Sequence, residues 1–169
     1  MKKRMLSLLA ATSIGVIGFG PAQAEEPVII PIKRLSMEMA QQIAQAAVEA
    51  CREEGVQVAA TVIDRGGHPQ AVLRDVLAMD LTLTISRQKA YTALSFNSPT
   101  SALEGRFEGA YAVPKIDGLV ISAGGLPITA GGTILGGVGV SGAPSGEIDE
   151  KCARAGIDAV SADLEMSAF

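Results

Sequence analysis

Three side chains in this sequence could carry catalysis or bind a metal ion, and both residue types concerned are scarce. His68 is the single histidine, and Cys51 and Cys152 are the two cysteines. A zinc site of Cys and His ligands would need nearly all three, and their spacing matches no known ligand pattern. A Ser-His-Asp enzyme would have to use His68. Because His68 follows paired glycines in a predicted turn, it is either an exposed metal ligand or an ordinary solvated residue.

The two cysteines lie far apart in sequence. Cys51 falls late in the first predicted helix and Cys152 early in the last. If both helices cover one face of a sheet, the two thiols could form a disulfide that closes a loop of about 100 residues. The alternative is a pair of buried free thiols that pack as small apolar side chains.

One helical segment carries cationic and hydroxyl groups together: Arg87, Lys89, Tyr91 and Thr92, with Ser86 beside them. A face of this kind could bind carboxylates. It could equally be the polar face of an ordinary surface helix.

A glycine-rich stretch, Gly137 to Gly142, formally matches the GxGxxG pattern of dinucleotide-binding loops. That pattern works inside a βαβ unit with an acidic residue about 20 positions later. Only 27 residues follow Gly142, and a helix uses most of them. The sequence therefore favours a central strand whose glycines allow close approach, by a neighbouring backbone or by a flat ligand.

The composition indicates one globular domain. The chain has 169 residues, of which 48% are hydrophobic and 19% charged, with a net charge of −4. This excludes a disordered chain and leaves room for a real core. The acidic balance, with no basic cluster in the body of the chain, argues against nucleic-acid binding.

Residues 1–24 have the layout of a secretory signal peptide. Lys2, Lys3 and Arg4 precede an apolar stretch from Met5 to about Phe19, and Ala22-Gln23-Ala24 is a small-residue cleavage pattern. The alternative is an uncleaved anchor. Cleavage after Ala24 removes three basic and no acidic residues, so 145 residues remain and the net charge changes from −4 to −7. The sequence thus predicts a periplasmic or secreted protein that is not inserted in a membrane after cleavage.

Residue types and their periodicity predict the elements of the remaining chain. Residues 25–35 form a short lead, and a helix over 36–54 follows with Ser36 as its N-cap. Strands at 56–63 and 70–75 flank a Gly-Gly turn and make a hairpin. A helix spans 80–96, a helical turn begins at Pro99, and residues 105–113 form a loop.

The segment from Gly118 to Gly142 has 9 glycines in 25 residues. Its short apolar runs predict three strands, one of them at Leu119–Ile121, before a last helix that begins at Gly146. The expected fold is α+β: an antiparallel sheet of about five strands with helices packed on it.

Several of these segments, taken in order, resemble the haem-degrading domain family, the GlcG/HbpS-like proteins. The resemblance covers about residues 36–160, and we assign residues 36–169 to the domain that it predicts. The segments that carry it are Leu35-Ser36-Met37-Glu38, Val62-Ile63-Asp64-Arg65-Gly66-Gly67-His68-Pro69, Arg74-Asp75, Arg87-Gln88-Lys89-Ala90-Tyr91-Thr92-Ala93, Asn97-Ser98-Pro99-Thr100-Ser101, Gly124-Gly125-Leu126-Pro127-Ile128, Ile134-Leu135-Gly136-Gly137-Val138-Gly139-Val140-Ser141-Gly142 and Asp149-Glu150-Lys151-Cys152-Ala153-Arg154-Ala155-Gly156.

The resemblance implies a profilin-like fold, a five-stranded antiparallel sheet flanked by helices. It implies a homo-oligomer, with octamers among the family's assemblies, and haem as cofactor. The histidine that a related domain supplies from its first helix has no counterpart here. Arg87 and Lys89 would then pair with the haem propionates, and Thr92, Thr100, Tyr111 or His68 would lie near the iron.

Two functions follow as hypotheses. The first is an exported haem-binding protein in haem or iron handling or haem degradation. The second is an accessory protein or enzyme that acts on a small oxygenated organic acid, with the backbones of Gly124–Gly125 and Gly136–Gly142 lining its pocket. A structural oligomer without a ligand is a third interpretation, and the sequence leaves enzymatic activity open.

Overall fold

The computed structural model describes residues 27–109 and 112–167. The predicted signal peptide, residues 1–24, and Tyr111 lie outside the described residues. The chain divides into two units, one up to Pro31 and one from Ile32. In the first, Val28, Ile29 and Ile30 are exposed. The helices and strands described below belong to the second.

The described residues of the second unit form four α-helices and four strands. The helices are α1 (Met37–Glu53), α2 (Leu81–Phe96), α3 (Gly146–Asp158) and α4 (Ser161–Ser167). The strands are β1 (Ala59–Asp64), β2 (Pro69–Arg74), β3 (Gly125–Ala130) and β4 (Thr133–Ser141). Short 3-10 turns occupy Ser101–Leu103 and Val113–Lys115.

Local sequence signals begin and end the helices where the side chains predict. The Ser36 hydroxyl accepts a hydrogen bond from the Met39 amide at the start of α1, and Gly55, with φ +77°, follows its end. Ser145 caps α3 in the same way. Helix α2 stops at Asn97, which takes a left-handed conformation that asparagine tolerates. The predicted helix of 36–54 therefore extends one residue beyond α1 at each end, and the predicted helix of 80–96 begins one residue before α2 and ends at the same residue.

The sheet is antiparallel throughout, with the strand order β2-β1-β4-β3. The α+β class and the antiparallel sheet flanked by helices are confirmed, but the expected fifth strand is wrong. Within the described residues the sheet has four strands, because Leu119–Ile121, where one of the five strands was expected, is irregular. The backbone N–H of Val120 donates to the Thr92 hydroxyl at 2.9 Å, so this segment is tied to α2 and not to a strand.

Helices cover both faces of the sheet. Helices α1 and α3 pack on one face, where the buried core includes Ile43, Val62, Leu126 and Val138. Helix α2 packs on the other face, over β1, β3 and β4. The fully buried disulfide between Cys51 and Cys152 joins α1 to α3, with Cα atoms 5.4 Å apart.

Candidate functional site

One row of paired residues across the sheet determines where α2 lies. From edge to edge the row reads Val72, Thr61, Gly139 and Gly125, and all four face α2 because paired residues of an antiparallel sheet share a face. A Cβ on Gly139 would lie 2.6 Å from the Ala90 nitrogen and overlap the Ser86 carbonyl oxygen. Helix α2 therefore rests directly on the backbone of β3 and β4.

The other end of the same row stays open. The Thr61 and Ser86 hydroxyls are hydrogen-bonded at 2.8 Å, which anchors α2 to β1. Beyond Thr61 the helix does not reach Val72, which is 46% exposed. A cleft of about 650 Å³ results between α2, the face of β2 and the β1–β2 turn. Its lining residues are Thr61, Gly66, Gly67, His68, Val72, Leu83, Thr84, Arg87, Gln88, Tyr91, Asp117 and Gly118.

The turn at the rim of this cleft is built around one carboxylate. Oδ1 of Asp64 accepts hydrogen bonds from the backbone N–H of Gly66 at 2.8 Å and of His68 at 3.0 Å. Gly67 has φ +83°, a conformation that favours glycine. Oδ2 of Asp64 faces Nη1 of Arg34 at 3.2 Å. The turn is thus held by its own aspartate.

The same contacts set the charge state of Asp64. Burial raises the pKa of this carboxyl, but the N–H groups of His68 and Gly66, together with Arg34, outweigh it and lower the pKa below its usual value. Asp64 therefore remains ionised at neutral pH beneath the imidazole of His68. The two side chains approach to 3.5 Å between Nδ1 and Oδ1, and the His68 side chain is 79% exposed.

Helix α2 supplies the opposite wall with side chains one turn apart. Arg87 is exposed, and Tyr91 packs against the turn, where a Cβ on Gly67 would lie 3.0 Å from the ring. Sequence reasoning placed Tyr91 on a polar helix face but did not select it for the site, and it did not consider Gln88. The spacing of three or four residues that joins Thr84, Gln88 and Tyr91 along one helix face is the signal that could have found this wall.

Lys89 was predicted to act beside Arg87, and the structure corrects this. Positions i and i+2 of a helix are about 200° apart around its axis, so Arg87 and Lys89 point to different sides. Lys89 is 3% exposed, and its Nζ contacts Oδ2 of Asp149 at 2.7 Å. Burial raises the pKa of Asp149, with Lys89 and the Ala143 N–H opposing it. Lys89 is therefore a buried structural cation and does not reach the cleft.

Neither candidate threonine opens into the cleft. The Thr92 hydroxyl is buried; it donates to the Gln88 carbonyl at 2.8 Å and accepts from Val120. The Thr100 hydroxyl is buried as well and accepts from the Gly125 N–H at 2.8 Å. Both therefore hold loops to the sheet and to α2. Of the predicted ligand residues, the cleft brings His68 and Arg87 together.

The glycines of β3 and β4 that face α2 pack against that helix, so the described residues show no space along them for the acid of the organic-acid hypothesis. A Cβ on Gly125 would lie 2.7 Å from the Lys89 carbonyl carbon, and one on Gly137 would lie 2.6 Å from the Ala90 oxygen. The backbone of α2 occupies the space where side chains at these two positions would lie. The GxGxxG match is part of a central strand that a neighbouring backbone approaches closely.

Residues 27–109 and 112–167 hold no group of three His, Cys, Asp or Glu side chains arranged to bind a metal ion. None of the helices in that part of the chain has the length and apolarity that crossing a membrane requires.

Comparisons with known proteins agree on one family. The model of the family described as "Haem degrading protein HbpS-like" matches residues 35–158. A crystal structure of an HbpS double mutant from Streptomyces reticuli is 40% identical, with a TM-score of 0.75, and the match covers 82% of this chain and 95% of that one.

Two other relatives differ in what their names say. Protein GlcG of Escherichia coli K12 is 34% identical over 108 residues, which cover 63% of this chain and 81% of GlcG. A crystal structure of a PduOC:haem complex is 26% identical, with a TM-score of 0.69, over 75% of this chain and 94% of that chain. The second relative thus binds haem on a similar fold.

Proposed function

The chain belongs to the HbpS-like haem-degrading family, and we propose that it binds haem in the cleft between α2 and the β1–β2 turn. The supporting observation is that its single histidine lies at the rim of a cleft of about 650 Å³, with an exposed arginine from α2 among the same lining residues. Imidazole is a common axial ligand of haem iron, and a guanidinium pairs well with a propionate carboxylate.

The shape and chemistry of the cleft fit this group. Its volume of about 650 Å³ lies in the range of cofactor sites. The glycine backbone at Gly66–Gly67, the ring of Tyr91 and the side chains of Val72 and Leu83 offer flat or apolar surface to a macrocycle. Bound haem would supply a redox-active iron whose potential depends on its axial ligand. His68 would hold the iron, and Arg87 would fix the orientation through a propionate.

Haemin titration of the purified protein tests the proposal. We expect a shifted Soret band that saturates at one haem per cleft. His68→Ala should change the position of the band, since the axial ligand is lost. Arg87→Ala should weaken binding by about 10-fold, the equivalent of one charge-assisted hydrogen bond of 1.4 kcal/mol.

The matched control is Arg154→Ala, which removes an exposed arginine of α3 outside the cleft. It should leave the titration unchanged. An unshifted Soret band at micromolar haemin, or a His68→Ala protein with the wild-type spectrum, contradicts the assignment.

We also propose that the protein is exported and self-associates. The residues that support export are the basic, apolar and small-residue segments before Glu25. Self-association is supported by four exposed apolar side chains within six consecutive residues, Val76, Leu77, Met79 and Leu81. Protein recovered from a periplasmic fraction should begin at Glu25, and light scattering should give a mass above that of one chain. A protein confined to the cytoplasm, or a monomeric mass, contradicts the respective proposal.

A small oxygenated organic acid is the second candidate ligand. The adjacent Arg87 and Gln88 could bind a carboxylate without any haem. A thermal-shift series with glycolate and related acids separates the two candidates. Stabilisation by the acids that Arg87→Ala abolishes, with no response to haemin, would favour this candidate.

A further inference from the structure

We propose that Asp64 and Gly66 form a seat for His68 that keeps the imidazole proton on Nδ1 and leaves Nε2, the other ring nitrogen, unprotonated. The role of the seat rests on the proposed function, because a histidine that binds iron or accepts a proton needs one unprotonated ring nitrogen. The geometry itself involves only residues of the turn, so it can be tested without haem.

The charge of Asp64 favours a proton on Nδ1 of His68. Nδ1 of His68 lies 3.5 Å from Oδ1 of Asp64. An unprotonated Nδ1 would direct its lone pair at a carboxylate oxygen, which is repulsive. A proton on Nδ1 turns the same contact into an attraction. In neutral His68 the proton therefore belongs on Nδ1.

Gly66 leaves space for the His68 ring. A Cβ at this position would lie 2.9 Å from Nδ1 and 3.3 Å from Cε1 of His68. The imidazole thus rests over a glycine that has no side chain to displace it. The φ angle of Gly66 is not in the left-handed region, so the backbone of this residue does not itself demand glycine. The His68 ring in this position, together with Oδ1 of Asp64 at 3.2 Å, occupies the space that a Cβ would need.

Hydrogen bonds within the turn and the contact with Arg34 hold the seat in place without any ligand. Asp64 is 6% exposed, and its two oxygens are held by two backbone N–H groups and by Arg34. The backbone N–H of His68 is one of those donors, so the residue and its carboxylate are tied at two points. An imidazole oriented by a carboxylate on one nitrogen is a better ligand through the other.

The experiment reads the tautomer directly. The chain has one histidine, so a long-range proton–nitrogen spectrum of protein made without a histidine tag shows a single imidazole. At a pH where His68 is neutral, we expect Nδ1 to carry the proton and Nε2 to give the unprotonated signal. A wild-type spectrum dominated by the opposite tautomer, with the proton on Nε2, overturns the proposal.

Two variants test the two parts of the seat. Asp64→Asn removes the negative charge, and Gly66→Ala displaces the ring while keeping the backbone. Both should move the tautomer population toward a proton on Nε2. Because Asp64 also holds the turn, Gly66→Ala keeps the proposal testable if Asp64→Asn does not fold. A wild-type tautomer population in folded Gly66→Ala protein counts against the seat.

Matched controls exist for both variants. Asp75→Asn removes an equally buried carboxylate that pairs with Arg52 outside the cleft. Gly109→Ala adds a Cβ that meets nothing within 4 Å. Both should keep the wild-type tautomer. A shift of similar size in these controls would mean that general loosening moves the imidazole, which also overturns the proposal.

The outcome is separable from that of the haem proposal. If Nδ1 carries the proton but haemin does not bind, the seat stands and the proposed function fails. If haemin binds through His68 while the free protein carries the proton on Nε2, the proposed function stands and the seat fails.

Discussion

The buried pair of Lys89 and Asp149 shows how one residue can be read wrongly from its type. The charge of Lys89 suggested an anion site, but this side chain is 3% exposed and ties α2 to α3 through Asp149. Taking two charges out of water is costly, so a pair of this kind adds little net stability while both partners are present. Removing one partner leaves the other charge buried and uncompensated.

Lys89→Met should therefore lower the free energy of unfolding by about 3–5 kcal/mol, as measured by urea denaturation. Lys151→Met is the matched control, since Lys151 pairs with Glu54 on the surface, and it should cost less than about 1 kcal/mol. Equal losses in the two variants would show that the buried pair is not special.

Two aspartates make stability depend on acid. Hydrogen bonding to Arg52 and to the Val76 N–H lowers the pKa of Asp75, and the pKa of Asp64 is lowered as well. Because both folded-state pKa values lie below those of the unfolded chain, the stability they contribute is present above about pH 4 and is lost as the pH falls through the folded values.

We expect the free energy of unfolding to fall below about pH 4 in the wild type and to fall less steeply in Asp75→Asn, when both are followed by urea denaturation across the acid range. Parallel pH profiles for the two proteins would contradict the role given to the Arg52–Asp75 pair.

At the scale of the elements, the seating of α2 on glycines explains both the fold and the cleft. Gly139 and Gly125 admit the helix backbone at one end of the paired row, and Val72 stays uncovered at the other end of the same face. A cleft at the β2 edge is a direct result of this asymmetry. The helix that carries Arg87 is thus positioned by residues that never touch a ligand.

Gly139→Ala should destabilise the protein by about 3 kcal/mol, because the new Cβ would overlap the Ser86 oxygen and push α2 away from β4. Urea denaturation measures the loss, and Gly109→Ala, which has free space around it, should stay within about 0.5 kcal/mol of the wild type. Wild-type stability in Gly139→Ala would mean that the helix does not rest on this glycine.

The helices and the β1–β2 hairpin were predictable because their signals are local: Ser36 as a cap, β-branched runs, and the Gly-Gly turn. The absence of a strand at Leu119–Ile121 was not predictable, because it depends on a contact between residues distant in sequence, Val120 and Thr92. The site shows the same division. His68 and Arg87 could be selected by type, whereas the burial of Lys89 and the threonines depends on which face of α2 meets the sheet.

For the molecule as a whole, the disulfide is the longest covalent constraint. It joins residues 101 positions apart and holds α1 against α3 on one face of the sheet. A cross-link that closes a long loop restricts the unfolded chain more than the folded one.

Replacing both cysteines, Cys51→Ser with Cys152→Ser, should lower the free energy of unfolding by about 4 kcal/mol, the value expected for a loop of this length. The comparison is made by urea denaturation against the oxidised wild type, with the reduced wild type as the control that lacks the bond but keeps both sulfurs. Identical midpoints for all three would contradict the constraint.

The same bond decides what a single backbone cut does to the molecule. The exposed turns at residues 105–109 lie inside the closed loop between Cys51 and Cys152. A protease that cleaves there yields two pieces that stay tethered, one carrying α1, the hairpin and α2, and the other β3, β4 and α3. The nicked protein would migrate as one species on a non-reducing gel and as two after reduction, with His68 and Arg87 still on the same piece.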